Sequence, residues 1–188
     1  MKFREVLVRE FSAYGRLTDS QLDRLEAHYQ LLIQWNRRIN LTRITDPEEA
    51  ARLHYCESLF VGAVLPPGPL SVCDVGSGAG FPGIPLSILR PDVKITLLES
   101  DQRKAVFLRE AVRALPNAQV LNERLEHCTS KFDWVVSRAV AKDEVLSENL
   151  APRVALLTST AEVGESHDDW EVIRLPWGNN RVLAIFRS

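Results

Sequence analysis

From residue 70 onwards, short apolar segments alternate with segments of helical periodicity, and this alternation constrains the fold more than any other feature of the sequence. It predicts strands at 70–75, 93–98, 118–122, 133–137 and 153–158, together with helices that begin at Pro82 and span 101–114 and 142–150. Such an order is typical of βαβ units around a parallel sheet. The last two apolar segments, WEVIRLP and NNRVLAIFRS, flank a short turn and predict an antiparallel hairpin on the edge of that sheet.

The sequence before this region has helical patterning only. A capping box begins at Thr18, and apolar residues follow it at helical spacing. Asp46 is placed to cap a further helix, and the segment LPPGP at 65–69 then interrupts the pattern. We therefore expect an N-terminal helical extension at 1–65 and a second domain at 66–188.

Composition excludes several classes of protein. The 188 residues are 45% hydrophobic and 26% charged, which fits one globular α/β domain with or without a small helical extension. Three widely separated cysteines without a Cys-x-x-Cys pair favour neither a disulfide framework nor a zinc site, so we expect no metal. No apolar run approaches the ~18 residues of a membrane span, and the first residues lack the apolar core of a signal peptide. We therefore expect a cytoplasmic protein that is not attached to membranes, with a monomer as the default state.

Two segments are candidates for binding nucleic acid. The net charge of −2 gives no overall attraction for a polyanion, so any such binding must be local. The stronger candidate is QWNRRINLTRIT, which carries Arg37, Arg38 and Arg43 and no acid. The second is QRKAVFLREAVR at 102–113, which has four basic residues and one acid.

The stretch CDVGSGAGFPGIPL combines an apolar strand, a glycine-rich loop and a helix start, which together let backbone N–H groups approach a ligand closely. Gly78, Gly80 and Gly83 satisfy G-x-G-x-x-G, the dinucleotide-binding pattern. Asp74, Gly76, Gly78 and Gly80 also satisfy D-x-G-x-G-x-G, which resembles the pattern of class I S-adenosylmethionine-dependent methyltransferases. A carboxylate at this position suits a cofactor with a free ammonium group and would repel a pyrophosphate. The charge therefore favours a methyltransferase over a nicotinamide enzyme.

The methyltransferase resemblance implies a Rossmann-like α/β fold with a seven-stranded, mostly parallel sheet that ends in an antiparallel hairpin. Within that fold, Glu99 ends the second strand at the distance expected for a ribose contact. Leu125 and Glu126 follow the third strand, where the adenine of the cofactor normally lies, and Arg138 ends the fourth, near the transferred methyl group. Neither an Asn/Asp-Pro-Pro-aromatic run nor a Pro-Cys nucleophile follows the fourth strand. An exocyclic amine or a pyrimidine carbon is therefore a poor candidate acceptor.

Five segments together closely resemble the bacterial 16S ribosomal RNA (guanine-N7) methyltransferase family RsmG, also called glucose-inhibited division protein B. In chain order they are LLIQWNRRINLTRITDPEE, DVGSGAGFPGIPLSILRP, TLLES, ERLE and VVSRA, over roughly residues 18 to 141. The resemblance implies methylation of guanine N7 at nucleotide 527, in the 530 loop of 16S rRNA in the small ribosomal subunit, with S-adenosylmethionine as the donor. The cofactor contacts that it implies, together with those of the generic motif, fall on Asp74, Gly76, Gly78, Phe81, Glu99, Leu125, Glu126 and Arg138.

Guanine N7 as the acceptor agrees with the absence of an obvious catalytic base. This nitrogen has a free lone pair and loses no proton before attack, so the enzyme mainly has to align nitrogen, methyl carbon and sulfur. We hypothesise that Arg138 acts by positioning the cofactor or the base. Asn36 and Thr42 either cap the end of a helix or present the flanking arginines to RNA, and His54 is either a packed side chain or a catalyst.

The chain departs from the family pattern in three places. Leu53 and Glu57 stand where relatives usually carry arginine and aspartate, and LLTST at 156–160 stands where they usually carry Lys-Gly. The segment between the fifth strand and the final hairpin is also short. Fewer basic residues mean fewer phosphate contacts. Two alternatives follow from these departures. One is a methyltransferase of the same fold with another RNA or a small molecule as acceptor, and the other is a catalytically silent, cofactor-binding module associated with the ribosome.

Overall fold

A computed structural model describes residues 2–138, 140–163 and 170–187 of the chain. Within these ranges, seven strands form one sheet: β1 Ser71–Val75, β2 Lys94–Leu98, β3 Ala118–Leu121, β4 Trp134–Arg138, β5 Arg153–Ser159, β6 Trp170–Arg174 and β7 Arg181–Arg187. Their spatial order is β3-β2-β1-β4-β5-β7-β6. Strands β1 to β5 pair in parallel, whereas β7 lies antiparallel between β5 and β6. The predicted α/β fold, with its mostly parallel sheet and terminal hairpin, is therefore confirmed.

The strand order creates a crevice at the carboxyl end of β1. From β1 the chain proceeds outwards to β2 and β3, and then returns to the other side of β1 with β4 and β5. The connections that follow β1 and β4 therefore diverge above the sheet at this point. Ligands of open α/β sheets bind in such a crevice. The glycine loop, Glu99 and Arg138 all follow strands that border it.

Helices cover both faces of the sheet. Before β1 the chain forms α1 Lys2–Phe11, α2 Asp19–Asn36, α3 Pro47–Ala50 and α4 Glu57–Val64, with a π-helical stretch, Ala51–Cys56, between α3 and α4. After β1 it forms α5 Gly83–Leu89, α6 Gln102–Ala111, a 3-10 turn at Leu125–His127, α7 Lys142–Ser147 and α8 Thr160–Val163. Both predicted caps are present. Thr18 forms the capping box of α2, and the Asp46 side chain accepts hydrogen bonds from two backbone N–H groups at the start of α3.

Two helices end earlier than the apolar pattern predicts. Helix α6 was expected to reach residue 114, but Val112 leaves helical geometry with φ −88° and ψ 0°. Helix α7 was expected to reach residue 150, but it ends at Ser147, and Asn149 adopts a φ of 45°. A residue in the left-handed region just past the last turn is a common helix stop, and asparagine tolerates it better than most residues.

The N-terminal helices share one hydrophobic core with the sheet. Leu7 of α1, Leu25 of α2 and Leu59 of α4 belong to the same buried cluster as Ile84 and Leu97 of the α5 and β2 region. A second cluster lies on the other sheet face, beneath α7. The proposed division at residues 65 and 66 remains a prediction. In the part of the chain that the structure describes, no helix is long and apolar enough to span a membrane, and no group of residues is arranged to hold a metal ion.

Candidate functional site

The glycine loop between β1 and α5 has a backbone that glycine adopts far more readily than other residues. Gly76, Gly78 and Gly80 have φ values of 68°, 56° and 86°. A Cβ on Gly80 would lie 2.3 Å from Ile84 Cδ1, and one on Gly76 would lie 2.6 Å from a methyl carbon of Val140. A Cβ on Gly78 would have its nearest neighbour at 3.8 Å. The loop is therefore tightly packed at both ends and open over Gly78, where a ligand can approach the backbone.

Asp74 lies beneath this loop and is fully buried. Its Oδ2 accepts a hydrogen bond of 2.9 Å from the backbone N–H of Gly83, at the start of α5. Burial raises the pKa of Asp74 from 3.8 to about 7. The sequence predicted a direct contact between this carboxylate and the ammonium group of a cofactor, and that contact stays a prediction. Oδ2 joins β1 to the start of α5, while Oδ1 is buried without a hydrogen-bond partner among the described residues.

Glu99 joins the glycine loop to the end of β2. Its Oε2 accepts a hydrogen bond of 2.8 Å from the backbone N–H of Gly78, and its Oε1 accepts one of 2.8 Å from the N–H of Asp101. The residue is 6% exposed. Each carboxylate oxygen can accept a second hydrogen bond, so Glu99 keeps the capacity to bind a pair of hydroxyl groups. The structure thus brings together the two sequence motifs that were predicted to share a ligand.

Arg138, at the end of β4, packs against aromatic side chains next to the glycine loop. Its guanidinium carbon lies 4.9 Å from the centre of the Phe81 ring, and the ring of His54 stacks on Phe81 at 4.7 Å. Arg138 Nη1 donates to His54 Nδ1 at 2.7 Å and to the carbonyl oxygen of Leu53 at 3.2 Å. Burial lowers the pKa of Arg138 to about 10, so the side chain stays charged at neutral pH. The π-helical stretch therefore supplies two acceptors that fix this cation.

His54 connects Arg138 to the loop that follows α2. Since Nδ1 accepts from Arg138, the ring proton resides on Nε2, which donates to Thr42 Oγ1 at 2.8 Å. Burial and the Arg138 charge lower the pKa of His54 to about 3, so the ring is neutral. Asn36 Oδ1 in turn accepts from the backbone N–H groups of Leu41 and Thr42. The segment WNRRINLT at 35–42 thus forms a loop that Asn36 holds, and its threonine orients His54 and, through it, Arg138.

The residues after β3 and within β4 differ in exposure. Leu125 is 8% exposed and packs in the cluster beneath α7. Glu126 is exposed and lies 3.5 Å from Arg124. Ser137 is buried and donates to the carbonyl oxygen of Val75, so it braces β4 against β1. Of Leu125, Glu126 and Ser137, only Glu126 has a polar side chain that is exposed to solvent.

A buried ion pair lies on the far side of Arg138. Arg181 of β7 donates through Nε and Nη2 to the two carboxylate oxygens of Glu57, at 3.0 and 2.9 Å. The Glu57 side chain is 1% exposed and that of Arg181 is 28% exposed. From the sequence, Glu57 was recognised only as a departure from the family pattern, and no role was predicted for Arg181. The two residues are 124 positions apart, and no spacing rule links them.

His28 is a second residue whose position was missed. It is 4% exposed. Its Nδ1 forms a hydrogen bond of 2.8 Å with the Tyr55 hydroxyl, and its ring lies edge-on to the Phe81 ring, with 5.4 Å between the ring centres. Burial lowers its pKa to about 4. A signal was present, because His28 follows Leu25 by three residues and therefore lies on the buried face of α2. The side chain supports the glycine loop from below.

The candidate RNA-binding arginines lie on the surface. Arg37, Arg38 and Arg43 are exposed, on the end of α2 and the loop that Asn36 holds. Next to them, Trp35 Nε1 donates to Glu110 of α6 at 3.2 Å. The second basic segment, at 102–113, is therefore adjacent to the first.

Comparison with known proteins identifies the family. A family model described as rRNA small subunit methyltransferase G matches residues 21–160. Ribosomal RNA small subunit methyltransferase G of Desulforamulus reducens is 42% identical over 146 residues, which cover 72% of this chain and 60% of that protein. The protein of the same name from Staphylococcus haemolyticus is 37% identical over 159 residues, which cover 80% of this chain and 66% of that protein. The chain thus spans less than two thirds of the length of these two relatives.

Solved structures agree on the fold. A SAM-dependent methyltransferase from Aquifex aeolicus matches with a TM-score of 0.54 and 18% identity, over 76% of this chain and 93% of that one. The seven-stranded sheet with one reversed strand is the class I methyltransferase fold, as predicted. The nicotinamide-enzyme alternative has no support from the family match. On this evidence of sequence and fold, the chain belongs to the rRNA small subunit methyltransferase G family.

Proposed function

We propose that this protein methylates N7 of a guanine in 16S ribosomal RNA, with S-adenosylmethionine as the methyl donor. We place the target at nucleotide 527 in the 530 loop, as the family resemblance implies. The shared name of the relatives supports the substrate class. One observation carries the proposal: the contacts from Thr42 through His54 to Arg138 and Phe81. They join three of the segments that carry the family resemblance, those that contain Thr42, Phe81 and Arg138, at the carboxyl end of β4.

The residues around the glycine loop fit S-adenosylmethionine. The open side of Gly78 leaves room for a ligand against the backbone, and Glu99 keeps acceptor capacity for the ribose hydroxyls. Asp74 fixes the start of α5 through Oδ2, and its unpartnered Oδ1 remains the proposed acceptor for the ammonium group of the cofactor. When bound, the cofactor supplies an electrophilic methyl group on a sulfonium. The other proposed contacts are Gly76, Phe81, Leu125, Glu126 and Arg138.

Catalysis by positioning follows from the chemistry of the acceptor. Guanine N7 needs no deprotonation, so the task of the protein is to hold the base and the donor in line. Arg138 is suited to this task because it is charged, partly buried and fixed by His54 and the Leu53 carbonyl group. A cation held in this way can donate to guanine O6, which is adjacent to N7.

The exposed arginines supply the proposed RNA surface. Arg37, Arg38 and Arg43 lie on the loop that also holds Thr42, so RNA bound there is close to the Arg138 cluster. The basic face of α6 extends this surface. Each phosphate contact contributes to an affinity that falls with salt. We further propose that the protein acts as a monomer in the cytoplasm.

Methyl transfer to small ribosomal subunits tests the proposal. Purified protein and labelled S-adenosylmethionine are incubated with 30S particles from cells that lack the modification, and the labelled nucleotide is mapped. We expect the label on N7 of guanine 527, and we expect Arg138→Ala to reduce transfer at least ~10-fold. Arg174→Ala, which changes an exposed arginine of β6, serves as the matched control.

Two results would contradict the proposal. Label on another nucleotide would indicate a different acceptor. Measurable cofactor binding without any transfer would indicate a catalytically silent module.

A further inference from the structure

A cleft of about 440 Å³ lies beside Arg138, on the side away from the glycine loop. Its walls come from the π-helical stretch, the ends of β4 and β5, the start of α8 and the turn between β6 and β7. The lining residues on which the argument rests are Leu53, Arg138, Leu157, Glu162, Asn179 and Arg181. Its volume is within the usual range for a site that takes a small molecule or a single base.

The cleft is contiguous with the proposed transfer site. Arg138 and His54 line it, and the same two residues pack on Phe81 of the glycine loop. It also lies at the carboxyl ends of β4 and β5, which is the edge where open α/β sheets bind ligands. A group that enters the cleft therefore reaches the residues that border the cofactor loop.

The charges of the cleft are balanced. Glu57 is neutralised by the two hydrogen bonds from Arg181, and His54 is uncharged. The Arg138 cation and the Glu162 carboxylate both line the cleft, and the charge of Arg181 also acts on Glu162. Hydrogen bonds from Thr158 and Ser159 hold Glu162 in place and lower its pKa, so it is ionised at neutral pH. A phosphate would need an excess of positive charge, whereas a neutral ring that carries both donors and acceptors matches a lining with as many carboxylates as cations.

Resting on the proposed function, we propose that this cleft holds the acceptor guanine and that Glu162 is the residue that selects it. Guanine carries O6 and N7 as acceptors on one side, and the N1–H and N2–H groups as donors on the other. Arg138 donates to O6, and Glu162 accepts from N1–H and N2–H. The side chains of Leu53 and Leu157 provide the apolar walls for the ring faces.

The same arrangement rejects adenine. Adenine has a donor, the N6 amine, where guanine has O6, and it has an acceptor, N1, where guanine has a donor. Its amine would face the Arg138 cation and its N1 would face the Glu162 carboxylate. A site that presents a cation and a carboxylate discriminates against a base that turns a donor towards the cation and an acceptor towards the carboxylate.

Removal of one donor from the base tests the role of Glu162. We compare wild type with Glu162→Ala on 30S particles reconstituted with either guanine or inosine at the target nucleotide, because inosine lacks the N2 amine. For wild type, we expect kcat/KM to fall about 10-fold on inosine, the effect of one lost hydrogen bond to a charged group. Glu162→Ala should lose about 10- to 100-fold on guanine. It should show no more than a ~2-fold further loss on inosine, since the group that reads the amine is gone.

Two control variants separate recognition from structure. Thr158→Val removes the hydroxyl that donates to Glu162 but keeps the carboxylate, so it should retain the preference for guanine over inosine. Glu144→Ala removes an exposed acid of α7 and should behave as wild type. Cofactor affinity, measured by calorimetry, should be the same in all four proteins.

The outcomes distinguish this inference from the proposed function. If Glu162→Ala keeps the wild-type ratio between guanine and inosine, the assignment of Glu162 is wrong while the methyltransferase function stands. If wild type methylates neither particle despite binding the cofactor, the proposed function and this inference both fail.

Discussion

The two halves of the candidate site are held together in different ways. On the side of the glycine loop, backbone N–H groups bond to carboxylates that lie nearby in the fold: Gly78 to Glu99, and Gly83 to Asp74. On the side of Arg138, side chains bond to side chains or carbonyl groups more than 80 positions away. The first half is a property of one βαβ unit, whereas the second exists only where the N-terminal helices, β4 and β7 meet.

This difference separates two tasks. The glycine loop can be formed by a short sequence, and class I methyltransferases with quite different sequences share the fold that carries it. The Arg138 cluster depends on His54 and on Thr42, which lies in the loop after α2. We therefore expect changes in the first half to affect folding and cofactor binding, and changes in the second to affect the transfer step.

The largest expected effect is the contrast between Gly80→Ala and Gly78→Ala. Both positions have positive φ, which costs alanine roughly 1–2 kcal/mol. At Gly80 the new Cβ would also overlap Ile84, so we expect a total loss of roughly 3–5 kcal/mol in the free energy of unfolding. At Gly78 we expect only the backbone cost, together with weaker cofactor binding, because the methyl group projects into the open side of the loop. Urea denaturation and calorimetry measure the two effects, and equal destabilisation by the two variants would refute the contrast.

The second effect is an asymmetry in the buried ion pair. Arg181→Met leaves the Glu57 carboxylate buried without its partner, so we expect a loss of roughly 2–4 kcal/mol in unfolding free energy. Glu57→Gln leaves behind an arginine that is partly exposed, so its cost should be about half as large. Chemical denaturation of both variants at neutral pH checks the asymmetry. Equal losses of unfolding free energy in the two variants would contradict the expectation that solvent stabilises the unpaired Arg181 side chain.

The third effect concerns pH and three buried groups. His28 and His54 have pKa values of about 4 and 3 in the folded chain against 6.5 ordinarily, so their contribution to stability is lost as the pH falls below about 6.5. Asp74 has a pKa of about 7 against 3.8, so its contribution is lost as the pH rises between these values. Between pH 5 and 6, the unfolded chain binds about two more protons on the histidines and about one fewer on Asp74 than the folded chain does. This net difference of about one proton should make the free energy of unfolding rise by about 1.4 kcal/mol per pH unit.

The variant Asp74→Asn separates the contribution of the aspartate from that of the two histidines. Asparagine does not titrate, so only the two histidines remain and the slope between pH 5 and 6 should roughly double. Denaturant titrations at several pH values measure the slope for each protein. An unchanged slope would mean that Asp74 is already ionised in the folded state.

The sequence could predict the first half of the site but only part of the second. The alternation of strands and helices, the glycine loop and Glu99 follow from local patterns, and the structure places the loop and Glu99 together. Arg138 was predicted from its position at the end of a strand. Its partners were not, because no local pattern connects Thr42 and His54 to a residue 84 or more positions away, and Arg181 carries no motif at all. For Asp74 the motif identifies the residue, but it could not show that Oδ2 is used to hold the start of α5.

The smallest expected effect concerns the contact between α2 and α6. Trp35→Phe keeps the ring contact with Phe107 at 5.9 Å and removes only the hydrogen bond to Glu110. Because Glu110 is exposed, we expect a loss of about 0.5 kcal/mol or less. Thermal unfolding measures this loss, and a much larger shift would show that the two basic segments depend on each other for folding.

The measurement that tests the account most directly is the effect of Thr42→Val on two constants. Valine keeps the shape of threonine but removes the oxygen that accepts from His54, so Arg138 loses its alignment while the glycine loop is untouched. We expect kcat for methyl transfer to fall about 10-fold or more, with the cofactor Kd unchanged within ~2-fold, and Thr42→Ser to restore activity. A parallel loss of cofactor binding and transfer, or a kcat equal to wild type, would contradict the separation of the two halves.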